Sequence, residues 1–309
     1  MPVPRADVTV VIPAYGPTPH LPRVIAALAA QTLQPKAIVV AHSGSDDPTD
    51  LLAAHPNVQV LHRPERMLAG TARNLGLREV RTDWVAFLDS DIVTVPGWLA
   101  ALHGAAGAAS DRFVAGSIGT AVSGGYWGLS LWATEFSGVH PYLPDRVMQG
   151  GASANMLIRT ADARRAGAFD EGVAAGEDSL LAARLRDAGL QNWFCAAARG
   201  DHMNIPGVRH CLAHLVWLGR WSARCRRRAR LRGAAATRLW PLAPGLWLAR
   251  LGLVYGRVLR WGTGHRLLFL ALAPGIVLGL LAWNLGFLCA LAESDGPVSD
   301  GKSAAGTRS

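Results

Sequence analysis

Disulfide and metal-thiolate frameworks are missing from this chain. Its four cysteines, Cys195, Cys211, Cys225 and Cys289, show no C-x-x-C or metal-ligand spacing, which suits a reducing compartment. No apolar run follows Met1, so no cleavable secretory leader is expected. No Gly-rich loop bearing Arg or Lys follows the first apolar run; Ala14-Tyr15-Gly16-Pro17-Thr18 is a poor cradle for a triphosphate. Acid is scarce in one long stretch: residues 199–266 hold 14 arginines, no lysine and the single acid Asp201. Residues 1–198 hold 15 Lys/Arg against 18 Asp/Glu, so the whole basic excess behind the net charge of +9 sits in that later stretch. The most apolar part of the chain comes directly after it.

Half of the 309 residues are hydrophobic, enough for one large domain with an apolar appendage. Short β-rich runs are expected at 8–12, 37–41, 58–61 and 84–88. Helical spacing of apolar residues is expected at 20–32 and 68–80, and again after Pro96, where Trp98, Leu99 and Leu102 share a face. Strands alternating with helices at this spacing predict an α/β fold with a mostly parallel sheet flanked by helices. Further strands are expected at 113–118 and 153–158, a short helix from Thr160, and a helix over 177–188 ended by Gly189. Residues 124–136 are aromatic-rich and ambiguous. Residues 208–231 read as one long helix with apolar residues early and arginines late.

The fourth strand ends in Leu88-Asp89-Ser90-Asp91, two carboxylates one residue apart. In an open α/β sheet, ligands collect outside the carboxyl ends of the strands. Two Asp there can hold a divalent cation, and the cation a phosphate-bearing ligand. Glu177-Asp178, following Gly176, opens a helix whose dipole favours an anion.

These segments resemble the family 2 glycosyltransferases. The likeness covers about residues 8–205. It rests on Val8-Thr9-Val10-Val11-Ile12-Pro13-Ala14-Tyr15, on Ala72-Arg73-Asn74-Leu75-Gly76, on Phe87-Leu88-Asp89-Ser90-Asp91 and on Gly176-Glu177-Asp178, in that order. The resemblance implies a GT-A fold and inverting transfer from a nucleotide-diphosphate sugar. It implies Mn²⁺ or Mg²⁺ held by Asp89 and Asp91, with His202 as a third ligand, and catalysis by Asp178 with Glu177 beside it. It further implies nucleotide contacts from Pro13, Ala14, Tyr15, Arg73, Asn74, Asp89 and Ser90. One departure falls after the second strand, where the family's acidic, base-reading position aligns with His42 in Ala41-His42-Ser43-Gly44-Ser45-Asp46-Asp47. Leu180 and Leu181 stand where a second acid often follows. Gly219-Arg220-Trp221 loosely echoes the Gln-x-x-Arg-Trp element of the processive synthases, without the Gln. Addition of one or a few sugars is therefore expected rather than a polymer, with residues 124–149 as the acceptor wall.

Residues 267–292 hold no charge and are long enough to cross a bilayer. Arginines before them place that side in the cytoplasm. Residues 241–259 are apolar but interrupted by Arg250 and Arg257, which suits an interfacial helix. The arginine run (Arg220, Arg224, Arg226, Arg227, Arg228, Arg230, Arg232), interleaved with Trp217, Trp221, Trp240 and Trp247, fits an anionic membrane surface better than nucleic acid. The expected organisation is a catalytic domain over 1–205, basic amphipathic helices over 206–265, a transmembrane helix over 266–292 and a disordered tail over 293–309. The expected protein sits at the cell membrane by one or two passes, catalytic domain in the cytoplasm, and glycosylates a lipid or an envelope glycan. Two alternatives stay open: a sugar-phosphate nucleotidyltransferase, and a catalytically degenerate membrane scaffold.

Overall fold

The computed structural model describes residues 3–121, 124–204, 206–229, 231, 233–238 and 240–293. Arg230, Arg232 and the expected tail beyond Glu293 lie outside them. The chain opens with β1 (Arg5–Tyr15), α1 (Leu21–Ala29), β2 (Gln34–Ser43), α2 (Thr49–Leu52), β3 (Val58–Arg63), α3 (Ala69–Glu79) and β4 (Trp84–Leu88). Next come β5 (Ile92–Thr94), α4 (Trp98–Gly107), β6 (Arg112–Thr120), α5 (Gly125–Glu135), β7 (Arg146–Val147), β8 (Asn155–Arg159), α6 (Thr160–Arg165), α7 (Glu177–Asp187) and β9 (Gln191–His202). The last part holds α8 (Val208–Arg228), two 3₁₀ turns at Ala234–Thr237 and Trp240–Gly245, α9 (Leu246–Trp261), a third turn at Thr263–His265, α10 (Arg266–Ala271) and α11 (Ala273–Ala292).

The sheet runs β3-β2-β1-β4-β8-β6-β9-β5, with β7 beside β9. Its first four strands are parallel, as the alternating pattern predicts. The second half is mixed, a departure from a mostly parallel sheet. β8 runs against both β4 and β6, while β6 and β9 are parallel. Two reversals cancel, so β1, β2, β4, β6 and β9 all end at one edge. That edge carries the site.

The central strands are buried on both faces, which accounts for their unbroken Val/Ile/Phe runs: every residue of β4 is buried. The ambiguous aromatic stretch is helix α5. β9 is the element the sequence hides, because Cys195-Ala196-Ala197-Ala198 breaks any apolar alternation.

The C-terminal helices pack on the same core as the sheet. Val254, Val258, Phe269, Ile276 and Leu280 join Val10, Ala86 and Ile118 in one buried cluster. The expected 26-residue apolar segment is divided at Leu272, with Pro274 in the first turn of α11. Among the described residues, α11 alone is long and apolar enough to cross a membrane, with a mean hydropathy of 2.0, and half of it is buried inside the protein.

Candidate active site

β1 lies between β2 and β4, so the chain changes direction across the sheet at its carboxyl end. Such a switch point leaves a crevice. A cleft of about 410 Å³ occupies it, walled by Tyr15 at the end of β1 and His20 beyond it, Ser90 and Asp91 after β4, and Met203 and Asn204 after β9.

The D-x-D turn is fixed through its backbone. Asp89 N–H donates to the Ala154 carbonyl (3.1 Å) and Ile92 N–H to that of Asp89 (3.2 Å). The two carboxylates then part company. Asp89 Oδ1 accepts from Arg73 Nη2 at 2.7 Å. Asp91 Oδ2 lies 3.4 Å from His202 Nε2.

His202 owes its place to β9: Ile92 pairs with His202 in register, and Met203 N–H donates to the Asp91 carbonyl at 2.9 Å. On its far side His202 Nδ1 donates to Asn204 Oδ1 (2.8 Å), and Asn204 Nδ2 donates to Thr120 Oγ1 (2.6 Å). That relay turns Nε2 toward Asp91. Burial opposes charge on the ring, but the Asp91 hydrogen bond and charge prevail and raise its pKa to about 9. His202 in turn holds the Asp91 carboxyl below its ordinary range, against the effect of burial.

Asp91 and His202 suit two positions in the shell of a hard divalent cation. Oδ2 of Asp91 and Nε2 of His202 are separated by close to the ~3 Å expected of adjacent ligands on an octahedral ion with bonds of about 2.1 Å. Mg²⁺-like ions take few protein ligands and complete their shell with water and phosphate oxygens. The three expected ligands are not gathered around one point, however. Among the described residues no group of three or more His, Cys, Asp or Glu is placed to hold a metal. Asp89 is turned to Arg73 instead.

Arg73 is the hub of the second half of the site. It is buried on α3, donates to Glu177 Oε1 at 2.5 Å as well as to Asp89, and stacks over Phe169. Both ends of its guanidinium are engaged by carboxylates, at the position for which the resemblance implies a nucleotide contact. Asn74 beside it clamps the Phe169 backbone, donating to its carbonyl and accepting from its N–H, both at 2.9 Å. Both residues therefore position the loop before α7 and reach no cleft wall.

Glu177 and Asp178 start α7 from Gly176, whose φ of +90° suits glycine. Glu177 is buried, and burial lifts its carboxyl to about 7 despite Arg73. Asp178 is half-exposed and accepts from Ser179 N–H at 2.5 Å. Of the two, only Asp178 is reached by solvent. Beneath the turn, Trp221 and Cys225 of α8 pack on Val173, Ala175 and Leu180. The Arg-Trp echo thus supports this turn from below, and Leu180 and Leu181 are core residues.

Among the residues expected to meet the nucleotide, Tyr15 and Ser90 line the cleft, and Pro13 and Ala14 end β1 beside it. His42 does not reach it. It is fully buried, with Nε2 3.0 Å from the Gly16 carbonyl and Nδ1 3.0 Å from His62 Nδ1. Sequence reasoning missed His20, Asn204 and Arg66, whose guanidinium lies over the Tyr15 ring. Asn204, two residues after His202, was the one findable from spacing.

A crevice at the switch point, an acidic turn after β4 and an imidazole brought in by the last strand define a GT-A glycosyltransferase domain. The profile of "Glycosyl transferase family 2" matches residues 9–164, and the chain belongs to that family. A pre-mycofactocin glycosyltransferase of Mycobacterium tuberculosis is 32% identical over 225 residues, 69% of this chain and 46% of that protein. The chain thus spans about half the length of that relative. An N-acetylglucosaminyl-diphospho-decaprenol L-rhamnosyltransferase of the same organism is 27% identical over 232 residues, 62% of this chain and 75% of that one. A mannosyltransferase from Pyrobaculum calidifontis, solved with GDP-Man and Mn²⁺, superposes with a TM-score of 0.60 over 92% of this chain and 87% of its own, at 17% identity. That likeness concerns the fold.

Proposed function

We propose that this protein is an inverting glycosyltransferase that moves a sugar from a nucleotide-diphosphate donor onto a lipid or lipid-linked glycan at the cytoplasmic face of a cell membrane. The observation that carries the reading is the Asp91–His202 pair, 3.4 Å apart and oriented by Asn204, with Asp91 on the wall of the switch-point cleft. Asp91 and His202 would hold Mn²⁺ or Mg²⁺, with Asp89 reaching it through water or binding the ribose. When bound, the cation neutralises the charge developing on the diphosphate leaving group.

The chain's own residues do the rest. Tyr15 and Ser90 flank the nucleotide side of the cleft. Asp178 takes the proton from the acceptor hydroxyl, its carboxylate favoured by the α7 dipole. Glu177, tied to Arg73, holds the turn that carries Asp178 and is a positioning residue rather than a second base. The decaprenol-linked substrate in the name of the rhamnosyltransferase relative supports a lipid-linked acceptor.

The test is thermal stability of the purified protein against a panel of nucleotide-diphosphate sugars with Mn²⁺, beside Asp91→Ala. Metal-dependent stabilisation by one nucleotide class, abolished in the variant, is expected. No stabilisation by any donor would overturn the transferase reading and favour a scaffold.

A further inference from the structure

Among the described residues, ten of the sixteen exposed large apolar side chains lie between Leu242 and Leu285. They fall on one layer. α9 turns Val254 and Val258 to the core and leaves Leu248, Leu253 and Leu259 outside, with Arg260 the one charge on that outer face. α10 exposes Leu267 at 83% and Leu270 at 67%. α11 shows Leu278, Leu281 and Leu285, spaced as one helical stripe. The inward residues of all three helices join a single cluster, so the outer faces look away from it together. A soluble surface helix carries charge on its outer face. This layer carries leucine.

α11 is built into the domain rather than hung from it. A Cβ on Gly219 of α8 would overlap the Trp283 carbonyl, and one on Gly286 would overlap the Val216 carbonyl, so the two helices meet backbone to backbone. Arg227 donates to the carbonyls of Ala290 (2.8 Å) and Leu291 (3.0 Å), and Arg224 to Glu293 Oε2 (2.7 Å). Part of the arginine run therefore caps the negative end of the α11 dipole. On its other side α11 packs on α5, where Glu135 pairs with His214 at 3.1 Å and the following Phe136 lies 5.0 Å from the His202 ring. Were α11 to cross a bilayer, α8 and α5 would follow it, carrying these charged pairs and the edge of the active site into hydrocarbon. Each charge at that depth costs about 3 kcal/mol even on lenient insertion scales.

We propose that the outer face of α9, α10 and α11 docks in the plane of an anionic lipid bilayer, entering one leaflet without crossing it. The proposal rests on the membrane association proposed above and specifies its geometry. Charge complementarity selects the occupant. Between Asp201 and Glu293 the chain has no acidic residue, and exposed Arg260 and Arg266 flank Leu259, Trp261 and Leu267 at the edge of the apolar face. Arginine and tryptophan beside a leucine surface suit the headgroup layer of anionic lipid. Docked so, the domain lies with its helical layer in one leaflet, and an acceptor anchored in that leaflet needs no detachment to react.

Two measurements on the full chain test this. The first is flotation with vesicles of phosphatidylglycerol in phosphatidylcholine, for the parent and for Leu267→Ser/Leu270→Ser. These side chains are too exposed to support the fold, so the variant should keep its melting temperature and bind at least about tenfold more weakly. Unchanged binding, or no binding of the parent to any vesicle, would overturn the proposal. A dimer dispersed by detergent, without vesicle binding, would assign the face to a second copy instead. The second is labelling of Ser303→Cys and Asp187→Cys by a membrane-impermeant maleimide in sealed inverted vesicles. In-plane docking leaves both on one side and equally reactive; a tail protected until detergent is added means that α11 crosses. Donor-dependent thermal stabilisation, read on the same proteins, separates these failures from failure of the transferase reading.

Discussion

Arg73 and Glu177 form a buried ion pair, Nη1 to Oε1 at 2.5 Å, that joins α3 to the first residue of α7. The same guanidinium holds Asp89, so one side chain couples the acidic turn after β4 to the turn that presents Asp178. Removing one member of a buried pair strands the other, at a cost of roughly 3–5 kcal/mol. Arg73→Met should therefore lower the unfolding free energy by about 3 kcal/mol in a denaturant titration. Arg73→Met/Glu177→Gln should recover part of the loss, because the fully buried carboxylate is then neutral and only the partly exposed Asp89 is left without its partner. A double variant no more stable than Arg73→Met would show that Arg73 acts through packing on Phe169.

Asp178 and Asp91 should fail in different ways. Loss of a general base costs about 10²–10⁴-fold in turnover and leaves ground-state donor binding alone. Asp178→Asn should keep the full metal- and donor-dependent rise in melting temperature while transfer falls by at least about a hundredfold. Asp91→Asn should lose the rise itself. Transfer by Asp178→Asn within a few-fold of the parent would move the base elsewhere.

The parallel half of the fold was legible because buried strands and amphipathic helices write opposite periodicities, and β4 matched its expected limits residue for residue. The site was legible where a motif ends a strand, as at Asp89 and Asp91. It was not legible where tertiary contacts decide a side chain's direction. Arg73 and Asn74 share a stretch with the family motif, yet both are turned inward by Phe169, 95 residues from Asn74 in the chain. β9 carries no periodicity, so the strand itself gave no sign of what sets His202 against Asp91; only the family resemblance put the two together. Hydropathy marks the apolar C-terminal stretch but does not report what its helix packs on, and the glycines that admit α8 are compatible with either setting.

His42 aligns, on the family resemblance, with a base-reading acid, but here it ties the end of β2 to those of β1 and β3 through Gly16 and His62. Substitution should therefore show in stability and not in nucleotide choice. His42→Ala leaves the buried Gly16 carbonyl without that partner, a loss of about 1–3 kcal/mol. The ranking of nucleotide-diphosphates by thermal shift should be the same in variant and parent. A changed ranking would put His42 in contact with the base after all.

His140 gives the fold a defined acid sensitivity. Its ring stacks on Trp132 at 4.2 Å and its Nδ1 meets Tyr142 Oη at 2.9 Å in a fully buried site. Burial pushes its pKa down to about 3, from 6.5. Well above pH 6.5 the ring is neutral in folded and unfolded chains alike and contributes no pH dependence. As pH falls below 6.5 the unfolded chain takes up a proton that the folded chain refuses until about pH 3, so stability declines through that window. At pH 5 the single-site loss amounts to about 2 kcal/mol, at ~1.4 kcal/mol per pH unit. His140→Phe, which keeps an aromatic ring on Trp132 but cannot titrate, should flatten the fall of unfolding free energy between pH 6.5 and 4, removing about 3 kcal/mol of it across that window. The slope should survive if it comes from the carboxylates instead, and a parallel curve for the variant would assign it to them.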